Sequence, residues 1–540
     1  MNARRTLEVA RLELLRSLRR PVVWVLVALT LFLAHGLADG NVRIGAGDST
    51  VGGTKAFITS EFAVAQVLCV VDFLLFTFFL SAIAGLAIQR DDELGLSELL
   101  RATALRPGEY VVGKFLASAA VYGLILSTHV GASIFFNHVL PAGEDAEFLG
   151  PFALANYVRP ALFFASPPIL FVCAFALMVG TRWRRPVLVF VLPLALMFGC
   201  MWLWSWSPSW LPTGLDRLLM FLDPAGFRWL TQEFLTVDRG VEFYNHATIP
   251  LDGLIVSQRL FVLALTGLCL VATARGLRGR ARTPTAGRAA ARDEAAPETE
   301  TAALDATLAD LGLRRGAVPF LVGLGEVARV EARAILRSPV LWLLLPIIVL
   351  MVLSNAVHAL GPFETPLLLS AGHTAVRMLN WLTGLSCILL MLYTVEALHR
   401  ERAVGLDPIV YAAPIRTPAF LLGKVIAASF IGLFVLAVMF LSLAVCTAAQ
   451  GRIPFDPAPY ALVWGLLAVP TFLFFAAFTA AAYARTGSRM TTYAAAFGLL
   501  ALTIRAGFQG DLDWRTNWSL FRAVQWSDLA PFELNGTELL

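Results

Sequence analysis

Eleven stretches of mostly apolar residues limit what this chain can fold into more than any other feature of it. Stretches of about 20 apolar residues match the thickness of a bilayer, and such a segment can satisfy its own backbone groups in lipid only as a helix. They lie near 21–38, 66–88, 111–136, 160–180, 187–204 and 256–274, and again near 339–358, 380–398, 420–446, 460–484 and 491–507. With 58% hydrophobic and 15% charged residues, the composition excludes an ordinary soluble domain. The sequence therefore predicts an all-α polytopic membrane protein. Cys69, Cys173, Cys200, Cys269, Cys387 and Cys446 all fall inside the apolar stretches, with no Cys-x-x-Cys. They read as small buried residues, not as a disulfide frame or a metal site. The first apolar stretch follows a long basic segment, so it reads as a retained span and not as a cleaved signal.

The chain uses one charged stretch twice. Arg90-Asp91-Asp92-Glu93-Leu94-Gly95-Leu96 leads through Arg106 to Gly113-Lys114, and Arg400-Glu401-Arg402-Ala403-Val404-Gly405-Leu406 leads through Arg416 to Gly423-Lys424. Every matched pair is 310 residues apart. Lys114 and Lys424 are two of only three lysines in the chain. A second match, at an offset of 318, joins Glu8-Val9-Ala10-Arg11 to Glu326-Val327-Ala328-Arg329, and Glu13, Pro21 and Trp24 to Glu331, Pro339 and Trp342. An internal parallel repeat follows. Residues 1–274 form a first half of six spans, opened by an amphipathic helix over 1–20. Residues 275–318, rich in Arg, Ala, Pro, Thr and Glu, read as a disordered linker. Residues 319–540 form a second half, opened by a helix over 320–338. That half has five spans before Leu540. The twelfth is missing, so the chain reads either as a fragment or as an incomplete second half.

Charge sets the expected orientation. The N-terminus, 89–114, 181–186, 275–337, 399–424 and 485–489 hold 30 of the 42 Lys and Arg residues, which places the N-terminus in the cytoplasm. In the first helix Leu7, Ala10, Leu14 and Leu18 share one face, with Arg5, Arg16, Arg19 and Arg20 opposite, as in a helix lying in the interface with its arginines near anionic head groups. On the outer side, 205–255 opens with a belt of Trp202, Trp204, Trp206 and Trp210 and continues with many apolar residues. It reads either as short helices dipping back toward the bilayer or as a small folded cap.

Motifs for catalysis are poor. Gly108 to Lys114 imitates a P-loop, but Phe115 replaces the hydroxyl residue that would reach a magnesium ion, and the second copy has Pro418 at the first glycine. Gly323-Leu324-Gly325 leads into a helix without a preceding strand. Asp72 lies about 27 Å along a helix from Arg90, near the outer interface where water would reach it. Arg377 and Arg505 also fall toward that side, Glu396 lies one turn from the inner boundary, and none of these reads as a relay through the bilayer centre. The repeated loop is the strongest signal. Each copy is predicted to present a short helix parallel to the membrane, with Leu96, Leu99 and Leu100 on one face of the first, and with Asp407-Pro408 as cap and first turn of the second. Arg90, Glu93, Gly95, Glu98 and Arg106, with Arg400, Glu401, Gly405, Asp407 and Arg416, are the candidate docking residues.

Taken together, Arg337-Ser338-Pro339…Trp342, the looser Arg19-Arg20-Pro21…Trp24, and the duplicated Arg…Gly…Arg…Gly-Lys loop resemble permease subunits of ABC-2 type exporters, the branch of multi-copper-enzyme-maturation-type permeases. The resemblance runs over nearly the whole chain as two fused halves. It implies elbow helices at 1–20 and 320–338, coupling loops at 90–106 and 400–416, and re-entrant outer helices in 205–255. It also implies a separate ATPase subunit in two copies, no cofactor, no catalytic residue in this chain, no nucleic acid, and a place in a bacterial inner (plasma) membrane. Some members of that family continue into a zinc aminopeptidase domain of the M1 type. Two other readings remain at this point: an ion-coupled secondary transporter, and a membrane anchor for a C-terminal enzyme. The sequence gives no substrate.

Overall fold

A computed structural model describes residues 2–38, 44–46, 49–140, 148–183, 186–205, 211–281, 318–357, 370–405, 407–450 and 454–509, with 512, 516–520, 524 and 526–527 near the end. Among these residues the protein is helical apart from a two-residue ladder, Gly45–Ala46 against Ser49–Thr50. It is a multi-pass membrane protein. Seven of its helices are long and apolar enough to cross a bilayer, or up to nine if each of two bent pairs counts as one span. Each of the eleven apolar stretches is helical over its described residues, but Arg489–Gln509 is not among those seven to nine, and Val191–Trp204 is a shorter apolar helix.

The first repeat begins with α1 (Ala3–Leu18) and α2 (Pro21–Gly36), bent by 69°. Pro21 sets the bend, because it lacks an N–H and starts a new helix at its first position. The Trp24 indole donates to the Leu18 carbonyl at 2.8 Å across the corner. A π turn at Leu68–Asp72 joins α3 (Glu61–Val67) to α4 (Phe73–Glu93). The short α5 (Leu96–Ala102) precedes α6 (Pro107–Ile134). Then α7 (Leu154–Pro160) runs through a second π turn into α8 (Ser166–Trp183), and α9 (Pro186–Ser205) follows. Three short helices, α10 (Thr213–Leu222), α11 (Phe227–Leu230) and α12 (Val241–His246), lead to α13 (Gly253–Ala281). This last helix carries the sixth apolar stretch seven residues into the expected linker; the remainder of the linker, 282–317, lies outside the described residues.

The second repeat builds the same series: α14 (Phe320–Leu336) and α15 (Pro339–Val357), bent by 65°, then α16 (Ala371–Val404), the short α17 (Asp407–Ala412), α18 (Thr417–Gln450), α19 (Ala458–Tyr460) leading by a π turn into α20 (Val469–Thr486), and α21 (Arg489–Gln509). Trp342 repeats the corner bond, donating to Leu336 at 2.9 Å. The packing partners recur as well. α1 lies on α6 as α14 lies on α18; α4 packs on α8 as α16 packs on α20; α2 meets α6 as α15 meets α18.

Between the repeats the contacts are reciprocal. α2 packs against α21, and α9 packs against α15, so the first apolar helix of each repeat meets the fifth of the other. Phe497 of α21 stacks on Phe78 of α4 (5.5 Å between centroids) and meets Phe79 edge-on, while Arg505 lies over the ring of Phe32 at 3.7 Å. One continuous apolar core runs through both repeats.

A second, smaller core belongs to the first repeat alone. Val51, Phe62, Phe164, Trp229, Leu230, Phe234 and Tyr244 are buried together where α10 to α12 fold back over α3. Residues 211–252 are thus packed together as one unit, a cap on α3, which fits either of the two readings of 205–255. The cap is pinned through Asp223, whose carboxylate accepts from the backbone N–H of Ala225 and Arg228 and from the Trp204 indole at 3.1, 2.9 and 2.9 Å. Burial pushes that carboxyl above its ordinary range against the pull of those donors. Trp204 thus points inward to the cap, while Trp206 and Trp210 lie outside the described residues. All six cysteines are free and buried.

Candidate functional site

The duplicated loops are mounted on buried lysines. Lys114 projects from the first turns of α6 and its side chain is only 4% exposed. A charge so deeply buried is tolerated only when it is paired and hydrogen-bonded. Its Nζ lies 2.7 Å from Glu13 Oε2 on α1 and 2.6 Å from Asp91 Oδ2 at the end of α4. Arg20 reaches the other oxygen of Glu13 at 3.1 Å, Arg16 reaches Asp91 at 3.0 Å, and the Tyr110 hydroxyl donates to Asp91 at 2.6 Å. Three segments far apart in sequence are therefore tied in one knot.

The second repeat ties the same knot. Lys424 Nζ lies 2.9 Å from Glu331 Oε1 and 2.6 Å from Glu401 Oε1, and Arg400 joins Glu331 at 2.9 Å. Even the lesser contacts recur: Lys114 donates to Ala87 and Lys424 to Ala397, and each ammonium lies over an aromatic ring 310 residues from its counterpart, Tyr110 and Phe420. Beside each lysine a glycine lets the bent helix sit close. A Cβ on Gly113 would lie 2.7 Å from Val9 Cβ and 2.9 Å from the Thr6 carbonyl; on Gly423 it would lie 2.8 Å from Val327 Cβ and 3.0 Å from the Leu324 carbonyl.

Helix α1 consequently has three faces. Its buried side is polar, made of Thr6, Glu13 and Ser17, and meets α6. Leu7, Leu12 and Leu15 point away from the protein. Arg16 and Arg20, which the sequence places near head groups, also pair with Asp91 and Glu13. The reason is electrostatic: two buried carboxylates attract nearby guanidinium groups.

The candidate docking residues divide accordingly. Glu401 belongs to the second knot, with a side chain 14% exposed, and Arg400 leans into it. Arg90 instead lines a cavity between the repeats. Gly95 and Gly405 adopt left-handed φ values of 69° and 70°, the conformation that turns the chain from the long helix into the short one. Arg106 and Arg416 are exposed where α6 and α18 begin, and Leu99 on α5 is exposed while Leu96 and Leu100 are half-buried. The side chains of Glu93, Glu98 and Asp407 lie outside the described residues. The segment Gly108 to Lys114 is helix, not loop.

Within the apolar region the sequence pattern did not reveal one close pair of titratable side chains. Asp72, in the π turn before α4, is fully buried, and its Oδ1 lies 2.8 Å from His129 Nδ1 on α6. The sequence places Asp72 where water would reach it, but packing against α6 leaves the residue 0% exposed. A small cavity lined by His129, Ser133, Asn137 and Tyr157 adjoins the pair.

Compared with known protein-family models and with curated proteins, the chain matches none.

Proposed function

We propose that this protein is the membrane-spanning permease subunit of an ATP-binding-cassette exporter, with the loops 90–106 and 400–416 facing the cytoplasm of a bacterial cell as handles for a separate ATPase in two copies. The observation that carries the reading is the duplicated knot. Each handle ends on a buried Lys–carboxylate cluster that locks the bent N-terminal helix, the end of one long helix and the start of the next into one piece. A pair of identical motor subunits needs two equivalent, stiff points of attachment, and reciprocal packing of α2 on α21 and α9 on α15 gives a seam across which two such units can rock. In this reading the chain itself carries no ATP-hydrolysing residue, and the ten-residue set from Arg90 to Arg416 surrounds the handles, with Leu99, Arg106 and Arg416 as their outward contacts.

The test is co-purification of an ATP-binding subunit with the tagged chain, followed by Leu99→Asp combined with Arg416→Glu. The pair is expected to release the ATPase while the permease elutes unchanged from a sizing column. Retention of the ATPase by that variant overturns the reading.

The Asp72–His129 pair favours a second reading, an ion-coupled carrier. Transport into inverted vesicles separates the two: an exporter needs ATP and ignores a proton ionophore, whereas an ion-coupled carrier stops when the ionophore is added.

A further inference from the structure

A polar stripe runs along the last turns of α6. His129, Ser133 and Asn137 follow one another at steps of four, so they share one helix face over about 12 Å. All three line a cavity of about 40 Å³, whose other walls come from the end of α2, from α3 and from Tyr157 of α7. The stripe belongs to the first repeat: 310 residues on from His129 and Ser133, Met439 and Leu443 are buried and apolar. Two members of the stripe have hydrogen-bonding capacity to spare. His129 is 1% exposed and Asn137 8%. The Asn137 amide donates to the Tyr157 hydroxyl at 3.2 Å, and its carbonyl oxygen accepts no bond among the described residues. His129 Nδ1 lies 2.8 Å from Asp72, which turns Nε2 to the other side of the ring, where it has no hydrogen-bond partner among the described residues. Buried groups of this kind are satisfied by water wherever one fits. The cavity has room for about three waters. At its far end the Tyr157 hydroxyl also meets Nε2 of the half-buried His138 at 3.0 Å.

We propose that this cavity holds a short file of water molecules, which carries a proton from its Tyr157 end, beside His138, to Nε2 of His129, and so makes Asp72 and His129 a buried proton-binding site. A hydronium proton handed along the file forms an N–H bond at Nε2 and leaves a neutral water behind. The imidazolium so formed has the Asp72 carboxylate beside its other nitrogen to balance the charge. The Ser133 hydroxyl, which both donates and accepts, stands midway along the file. Other titratable groups surround the pair without entering the file. Tyr122 lies two turns earlier on α6, His35 of α2 meets Phe136, and Cys173 is buried on α8. Cys69, one turn before Asp72, donates to the Ala225 carbonyl, which Arg259 of α13 also holds, and Asp223 of the cap accepts from the Ala225 N–H. None of these lines the cavity. The inference goes beyond the exporter reading and holds whether ATP or an ion gradient drives transport; that reading supplies only the orientation, in which the cap side is the outer side.

The purified full chain in a neutral maltoside detergent is kept in heavy water over a series of pH values, and deuterium at the ring carbon between the two nitrogens is read for each histidine by mass spectrometry. That carbon exchanges only when water reaches the ring, and its rate climbs with pH and levels off as the ring loses its proton. His129 is expected to label at a rate within about tenfold of that of the exposed His246, on a profile that levels off, while the backbone amides of 125–133 stay protected. In Ser133→Val combined with Asn137→Leu, which lines the file with apolar groups, His129 is expected to slow by about tenfold and His246 to keep its rate. A ring still unlabelled when His246 is fully labelled, an equal rate in the double variant, or labelling that only keeps pace with opening of the amides overturns the water file. A rate that is flat with pH overturns the proton route. Should the double variant not fold, the comparison of His129 with His246 in the wild type decides. Neither an ATPase nor transport enters the assay, so its failure is distinct from a failure of the exporter reading.

Discussion

The two repeats of this chain agree at their charged ends and differ in their apolar interiors. At the charged end, Lys114 and Lys424 each hold two carboxylates, one from the bent helix and one from the long helix. Deeper in, the first repeat has Asp72 against His129, and the positions 310 residues on are Leu382 and Met439, both buried. The contrast separates two kinds of buried charge. Where both repeats retain an ion cluster, the fold depends on it to join segments that have little else in common. Where one repeat does without, buried apolar residues stand at the matching positions, so the fold does not require the polar pair at that point and its role is open to test.

The largest expected effect tests the agreement. Lys114→Ala and Lys424→Ala each remove the central cation from two buried carboxylates and leave them only their partners at the edge of the knot; breaking a buried pair costs about 3–5 kcal/mol. Both variants are expected to lower the thermal midpoint in detergent by similar amounts. A large loss for one and none for the other would show that the knots are alike in geometry but not in role.

Next come the glycines. Gly113→Ala and Gly423→Ala push a methyl group into Val9 and Val327, and overpacking of this kind costs about 1–3 kcal/mol. The expected readout is again thermal, with one addition. Because the strain lies between the bent helix and the next, easier proteolytic release of residues 1–20 by Gly113→Ala is expected, and an unchanged cleavage rate would mean that α1 adjusts without loosening.

Much of this organisation was legible in the sequence. Constant offsets revealed the repeat, and apolar length placed each long helix, because both depend on local pattern alone. Lys114 and Lys424 were visible as two of three lysines, yet their purpose was not, since it rests on three segments that meet only after folding. The sign available was the matched Glu13 and Glu331: a repeated acid in a basic helix, beside a repeated lysine in an apolar one, asks to be paired. The partners of Arg16 and Arg20 were missed for the same reason. A count of faces on an isolated helix does not show which carboxylates folding brings beside it. The exposure of Asp72 was misread because helical rise gives depth along an axis and says nothing about what lies beside it, here His129 of α6.

The smallest expected effect is the most informative. Asp72→Leu with His129→Met copies the second repeat into the first. Either change alone leaves one polar group buried without its partner, and the cost is about 3–5 kcal/mol. The two together remove that penalty, because a buried polar pair replaced by apolar residues of similar volume is often neutral or better, so the double variant is expected to unfold within about 1 kcal/mol of wild type. Thermal unfolding of the two single variants and the double closes the cycle, and transport by the double variant then isolates what the pair is for. A double variant that is stable but inactive assigns the pair to the transport cycle. One that is stable and active makes it a relic of the first repeat. A double variant as unstable as the singles would mean that the interiors of the two repeats are not interchangeable at this point, and the inference from Leu382 and Met439 would fail with it.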